Sequence, residues 1–213
     1  MQSKSTKSLK ISNLKLNQKG KSLLSLNEEI QGGEVLTIMG PSGSGKSTLL
    51  NWLAGMLPTD FSASGELYLN SQNITNTASH LRQLGLLYQD PLLFPHLSVA
   101  GNIAFAMPKG DKQTRNLKIS EALAQVGLEG MEKRNPDSLS GGQQARVALL
   151  RVLLSEPKAI LLDEPFSKLD SQLRQETRQL VFEQIQHHQI PVIMVTHDES
   201  DAIAAQGKVI RLS

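Results

Sequence analysis

Cysteine is missing from all 213 residues. Disulfides, thiolate metal sites and cysteine nucleophiles are therefore excluded together, and the absence fits a reducing compartment. Long apolar runs are missing too: no stretch approaches the ~18–20 residues that a membrane helix needs. The first residues are rich in Ser and Lys and have no apolar core of a secretory signal. Residues 1–8 read as a tail, and Lys4, Lys7 and, just beyond it, Lys10 read as solvated rather than bound to lipid. An excess of one charge is also lacking, with 22 Lys and Arg against 20 Asp and Glu and a formal net charge of +2. No basic stripe follows the N-terminal lysines, so no nucleic-acid partner is expected. What remains is an ordinary globular composition, 39% hydrophobic and 20% charged, which excludes disorder and fibre and is long enough for one large, well-buried core.

Leu9, Ile11, Leu14 and Leu16 come in rough alternation, which predicts an outer strand. Val35-Leu36-Thr37-Ile38-Met39, Ala159-Ile160-Leu161-Leu162 and Val192-Ile193-Met194-Val195 are short continuous apolar runs. Such runs belong inside a parallel sheet covered on both faces. Each ends in polar residues: Gly40-Pro41-Ser42, Asp163-Glu164 and Thr196-His197-Asp198. In open α/β sheets ligands sit beyond the carboxyl ends of strands, so chemistry-bearing residues gather at one sheet edge. Between Asp90 and Leu139 the pattern changes. Ile119, Leu123 and Val126 recur at helical spacing before Gly127, which predicts a mostly helical insertion closed by the loop Asn135-Pro136-Asp137.

Gly40-Pro41-Ser42-Gly43-Ser44-Gly45-Lys46-Ser47-Thr48 fits the phosphate-loop pattern G-x-x-x-x-G-K-[ST] after a strand and before a helix striped by Leu49, Leu50, Leu53 and Leu57. Glycines let successive backbone N–H groups curl round phosphate oxygens. The helix N-terminus adds partial positive charge. Lys46 supplies a full charge at the β/γ-phosphates, and the Ser47 hydroxyl is a Mg²⁺ ligand. Ser44 is not critical, because the backbone amide acts there. These residues predict a bound nucleotide with Mg²⁺.

Leu139-Ser140-Gly141-Gly142-Gln143 opens another helix, with Val147, Leu150 and Leu154 facing inward. Ser140 and Gln143 have capping-box spacing. Two adjacent glycines are costly at a helix start and make sense where a ligand must approach the backbone. The pentapeptide resembles the signature of the ABC ATPases, and the likeness runs from about Leu9 to Ser213 with the family's motifs in order. It implies an α/β phosphate-loop NTPase fold with a mainly parallel sheet core, an antiparallel N-terminal part and a helical insertion. A single domain over residues 9–213 would have a nucleotide-binding core (9–89 and 156–213) and a helical subdomain (90–155). The resemblance implies ATP as the nucleotide. In that family, the signature of one subunit meets the γ-phosphate held by the other. Ser140, Gly141, Gly142 and Gln143 would then be nucleotide contacts across a head-to-tail dimer of two copies, or of one copy with a second ABC ATPase.

The resemblance assigns further roles. Asp163 matches the carboxylate that orients Mg²⁺, and Glu164 the one that positions the attacking water. Gln89, after the strand Leu86-Leu87-Tyr88, matches a glutamine that touches Mg²⁺ or the water. His197 matches a histidine that hydrogen-bonds the γ-phosphate. Asp170, ending Ser167-Lys168-Leu169-Asp170, lies in the loop that links the two sites. One departure stands out. The family commonly stacks an aromatic residue on adenine, yet residues 9–48 contain no Phe, Tyr or Trp, and Gln18 or Leu16 falls near that position. Base–aromatic stacking is worth ~1–3 kcal/mol, so weaker ATP affinity and looser discrimination against GTP are expected.

Asp90 to Asn102 resembles the region that docks on a transporter's membrane chains; its Leu92, Leu93, Phe94 and Leu97 fit either docking or internal packing. Phe166, where threonine is common, is similar to importers of sugars, polyamines, thiamine, iron or molybdate. The resemblance thus implies an ATPase peripheral to the inner face of the membrane, working with permease subunits and a solute-binding protein. The sequence runs out soon after a final strand, Val209 to Leu212, so no added C-terminal regulatory domain is expected. The rivals are a soluble ABC ATPase of DNA repair, chromosome organisation or translation, a monomeric phosphate-loop kinase, and a module that binds ATP without turnover. Long coiled coils, zinc modules or a second cassette would mark the first. The kinase needs no signature, and Glu164 argues against the binding module.

Overall fold

The computed structural model describes residues 7–212. Two sheets organise them. Strands β1 (Ser8–Gln18), β2 (Lys21–Gln31), β4 (Phe61–Leu69) and the short β5 (Gln72–Asn73) form an antiparallel sheet in the order β2-β1-β4-β5. Strands β3 (Val35–Met39), β6 (Leu84–Leu87), β7 (Ala159–Asp163), β8 (Val192–Thr196) and β9 (Lys208–Arg211) form a parallel sheet in the order β6-β7-β8-β3-β9. Six α-helices accompany the sheets among the described residues: α1 (Lys46–Ala54), α2 (Val99–Ala106), α3 (Lys112–Gln125), α4 (Gly141–Leu153), α5 (Ser171–His188) and α6 (Glu199–Ala205).

The three inner parallel strands, β3, β7 and β8, are buried on both faces, as their unbroken apolar runs require. Leu36, Ile38, Leu161, Ile193 and Val195 pack with α1 and the antiparallel sheet. Val35, Ile160, Leu162, Val192 and Met194 pack on the opposite face with Ala148, Leu149 and Val152 of α4 and Val181 and Ile185 of α5. A third cluster joins Val99 and Ile103 of α2, Ile119 and Leu123 of α3, and Val147 and Leu150 of α4. Helix α4 is thus buried on two sides. The sequence pattern revealed only the side facing α2 and α3.

The predicted outer strand is corrected by the structure: β1 pairs with β2 on one side and β4 on the other, in the interior of its own sheet. Its alternation skips from Ile11 to Leu14 because a bulge lies between them. Asn13 takes φ 51° there, and the extra residue returns Leu14 to the buried face. Opposite, Gly65 adopts φ +120°, and a Cβ on it would stand 2.7 Å from Leu14 Cα. The bulge therefore needs glycine on the facing strand.

The tail expectation changes too. Residues 1–6, with Lys4, lie outside the described part, whereas Lys7 Nζ donates to the His188 carbonyl at 2.8 Å and Ser8 already belongs to β1. Lys10 stands on that strand 3.7 Å from Glu29 Oε2. Two boundaries also shift: β6 ends at Leu87, before Tyr88, and α1 ends at Ala54, with Gly55 in the left-handed region, so Leu57 packs on the core from beyond the helix.

Candidate functional site

Four neighbouring strands, β6, β7, β8 and β3, end at the same edge of the parallel sheet. Their ends carry Gln89, Asp163 with Glu164, His197, and the phosphate loop, in that order across the edge. Strand order alone brings together residues that are far apart in the chain.

The loop after β3 opens α1 through Gly45, which has φ 91° and offers no side-chain cap to the helix N-terminus. Gly43 has φ +83°, and a Cβ on it would meet nothing within 4 Å, so backbone angle and not space demands glycine. Gly45 is constrained twice, because a Cβ would also stand 2.8 Å from Leu23 Cδ2. The helix's first amide groups are thus left to an external acceptor. Lys46 Nζ donates to the carbonyls of Gly40 and Pro41 at 2.7 and 2.9 Å, drawing its charge across the loop mouth. The Ser44 hydroxyl is buried without a protein partner.

Beside the loop, half-buried Asp163 has its pKa pushed up by burial first and by Glu164 second, against a hydrogen bond from Ser47 and the charge of Lys46. Loss of water and a neighbouring carboxylate both ask for a cation. The groups at hand, Ser47, Asp163 and the Gln89 amide, carry hard oxygen donors of the kind that Mg²⁺ takes, with phosphates completing its shell. No group of three or more His, Cys, Asp or Glu poised for a metal occurs among the described residues. That is compatible with an ion held mainly by nucleotide and water.

Glu164 has φ 48°, in the left-handed region that costs a residue with a Cβ roughly 1–2 kcal/mol. Strain of this kind collects where a side chain must be aimed. The Glu164 amide donates to the Val195 carbonyl at 3.0 Å, locking the turn to β8. Its Oε1 lies 2.8 Å from His197 Nδ1, and its Oε2 is 3.5 Å from Thr196 Oγ1. The hydrogen bond with Glu164 and then that group's charge push His197 above its ordinary value, with smaller opposing effects of burial and Lys46. Gln89 is exposed, yet it lines a small crevice that it shares with Glu164, Ala145, Ser167 and Lys168.

At the start of α4 the anticipated capping box is present: Ser140 N donates to Gln143 Oε1 at 2.9 Å, and Gln143 N donates to Ser140 Oγ at 3.3 Å. A Cβ on Gly141 would meet nothing within 4 Å, while one on Gly142 would touch Leu169 at 3.4 Å. The exposed side of this turn is therefore at Gly141. Asp170 caps α5, its Oδ1 accepting from Leu173 N at 3.1 Å. Buried Arg146 anchors the other side of α4's first turn, donating to the Val126 carbonyl and, at 3.4 Å, to Gly142.

The family model described as ABC transporter matches residues 23–167. The chain belongs to the ABC transporter family. Among ABC transporter proteins, it is 47% identical over 192 residues to an uncharacterized ATP-binding protein, YnjD, of Escherichia coli, covering 90% of this chain and 88% of that one. It is 39% identical to the sulfate/thiosulfate import ATP-binding protein CysA of Halalkalibacterium halodurans, over 88% of this chain. It is 41% identical to the spermidine/putrescine import ATP-binding protein PotA of Marinobacter nauticus, over 96% of this chain. The chain spans about half the length of those two relatives, 54% and 55%. Its fold superposes on the dimeric bacterial ABC transporter cassette MJ0796 with a TM-score of 0.81 at 31% identity, covering 96% of this chain and 94% of that one. A second match, at the same score and coverage, is the same cassette after hydrolysis with ADP and Pi bound.

This chain is therefore an ABC ATPase cassette, an ATP-binding and ATP-hydrolysing domain. Several residues that its site depends on were not legible in the sequence. Arg151 donates to the carbonyls of Pro91 and Leu92 at 2.9 and 2.8 Å and lies over the Phe94 ring. Fully buried Asn102 accepts from Phe94 N at 2.7 Å and donates to the carbonyls of Phe94, Leu97 and Ser98. Lys168 pairs with Asp90 at 2.5 Å. Together they fix the segment after Gln89. Leu93 and Leu97 are partly buried, whereas Leu92 is 59% and Phe105 68% exposed. The apolar residues of this segment thus divide between packing and solvent. Of the two positions expected near adenine, Leu16 is fully buried, whereas Gln18 is exposed.

Proposed function

We propose that two such cassettes pair head to tail, close on two ATP molecules, and use hydrolysis to drive import through separate permease subunits. The observation that carries this reading is a second ligand-ready helix end. The chain already has a complete phosphate cradle, and its α4 N-terminus still turns Gly141 toward open space. A twofold pair converts two such half-sites into two composite ones. The dimeric state of the MJ0796 cassette supports that arrangement.

In this reading the amides of residues 40–48 and Lys46 hold the β- and γ-phosphates, and Ser140, Gly141, Gly142 and Gln143 reach the γ-phosphate from the partner. Asp170 belongs to the crossing between the two sites. Ser47, Asp163 and Gln89 would hold Mg²⁺, which supplies charge neutralisation on the phosphates when bound. Glu164 orients the attacking water, and His197 donates to the γ-phosphate; phosphoryl transfer demands little beyond such in-line placement and charge compensation. Pairing with His197 leaves Glu164 further acceptor sites for a water.

The permease would dock on Leu92, Phe94 and Phe105, where the two Phe rings meet edge to face with centroids 4.8 Å apart. Exposed Leu92 and Phe105, with half-buried Phe94 between them on a clamped segment, suit an interface. Import as the direction is supported by the relatives CysA and PotA, and by Phe166, fully buried against Phe182. No helix among the described residues is long and apolar enough to cross a membrane, in keeping with separate membrane chains and a cassette bound to them at the inner face. The soluble rivals in repair or translation lack such support.

Glu164→Gln tests the core of this reading. With MgATP the variant should lose turnover by about a thousandfold and accumulate as a dimer by light scattering. A monomer that retains phosphotransfer would favour a kinase and overturn the proposal.

A further inference from the structure

His197 is mostly exposed, and among the described residues its ring is held only by Glu164. Its aim therefore depends on its chain neighbours, and both are gripped. Thr196, fully buried at the end of β8, accepts from Asp198 N at 3.1 Å and lies 3.0 Å from Asp201 Oδ2. It has one hydroxyl proton and two carboxylates in reach. The nearer, Asp201, takes the proton, and Glu164 at 3.5 Å is left without it. Asp198 uses Oδ1 to accept from Ser200 N and Oγ at 2.8 and 2.5 Å, which turns its Oδ2 toward α5.

Helix α5 answers with two arginines one turn apart. Arg174 donates through Nη1 to Asp198 Oδ2 at 2.7 Å and through Nη2 to the Leu169 carbonyl at 3.2 Å. Arg178 donates through Nε to Asp201 Oδ1 at 2.5 Å and through Nη2 to Ser200 Oγ at 2.8 Å. Asp201 is 2% exposed, so its charge depends on that guanidinium. The same helix is capped by Asp170, so a shift of residues 167–170 is carried to the turn bearing His197 by a single rigid strut.

We propose that Arg174 and Arg178 are positioning residues: they set the His197–Glu164 pair and make its placement follow the loop 167–170. This rests on the ATPase reading of the site. Lysine keeps the charge but cannot bridge two acceptors as a planar guanidinium does, so Arg174→Lys and Arg178→Lys are the informative variants. Glu183→Gln, exposed on the same helix, is the control.

Steady-state hydrolysis of MgATP by the full chain should show kcat lowered by about tenfold to a hundredfold for the arginine variants, with KM changed by less than about twofold. Adding Arg174→Lys to His197→Ala should lower single-turnover rates no further, because the strut acts through the histidine. Unchanged kcat, a KM rise alone, or full additivity with His197→Ala would overturn the inference. So would a loss explained by the unfolded fraction in a thermal melt. If Arg178→Lys fails to fold, the partly exposed Arg174 site decides. A wild-type chain without turnover would instead sink the ATPase reading.

Discussion

The N-termini of α1 and α4 are both read as phosphate sites, yet they are finished differently. The first begins at Gly45 in the left-handed region and has no side-chain cap. The second begins at Ser140 in extended backbone and is closed by a reciprocal box with Gln143. An uncapped helix start leaves its amides seeking an acceptor, so α1 is built around a ligand that stays. A boxed start is stable alone, so in the proposed pair α4 would wait unliganded and offer Gly141 and its dipole to the partner's nucleotide. Under the proposed head-to-tail pairing, the contrast would match a division of labour, one end binding ATP and the other detecting that it is bound.

The comparison breaks first at the glycines. Gly45→Ala forces a Cβ into Leu23 at φ +91°, a backbone conformation costing roughly 1–2 kcal/mol before the clash is counted. ATP binding should fall below detection by equilibrium dialysis, and the melting temperature should drop. Gly141→Ala meets open space and should leave monomer stability and ATP binding intact while impairing dimerisation of the Glu164→Gln protein. Equal damage from both would erase the distinction.

At its far end α1 depends on Arg82. This buried guanidinium donates to the carbonyls of Trp52, Leu53, Thr75 and Thr77 at 2.6 to 3.0 Å. It satisfies last-turn carbonyls, and its charge suits the negative end of the helix. Arg82→Ala should cost about 3 kcal/mol, and for a chain of this size about 6–12 °C in melting temperature. Ser140→Ala removes one cap, a loss of about 1 kcal/mol by urea titration. If the Ser140 hydroxyl also meets nucleotide, dimerisation in that variant will suffer more than the stability change accounts for.

These residues show how far the sequence could be read. The phosphate loop, the signature turn and the carboxylates Asp163 and Glu164 at the end of β7 were legible because each chemistry sits on consecutive residues or at a strand end. The parallel sheet was legible because strands buried on both faces leave unbroken apolar runs. The bulge at Asn13 was not: polar residues between Ile11 and Leu14 look the same whether a strand skips or stops. Arg82, Asn102, Arg151 and Arg174 were invisible for another reason. Each binds backbone carbonyls or an aspartate distant in the chain, and no spacing rule links an arginine to a carbonyl. The glycines of α4 were read as a demand for ligand, and Gly142 has a second use, lying where a Cβ would touch Leu169.

The smallest expected effect bears on the pair of Glu164 and His197, the two residues proposed to act in hydrolysis. The hydrogen bond and charge of Glu164 raise the pKa of His197, aided by Asp198 and opposed by burial and Lys46. A raised pKa means that the folded chain favours the charged imidazole. The resulting stability is fully present below the ordinary value of about 6.5 and is lost as pH rises through the raised one. With the ring 69% exposed, solvent screens the pair and the contribution to stability stays small. The titration itself is the sensitive readout. Followed by its imidazole proton resonances, His197 should titrate above about 6.5, and Glu164→Gln should return it toward that value. A midpoint unmoved by Glu164→Gln would show that the carboxylate is not its partner in solution, leaving Glu164 aimed by its strained backbone alone.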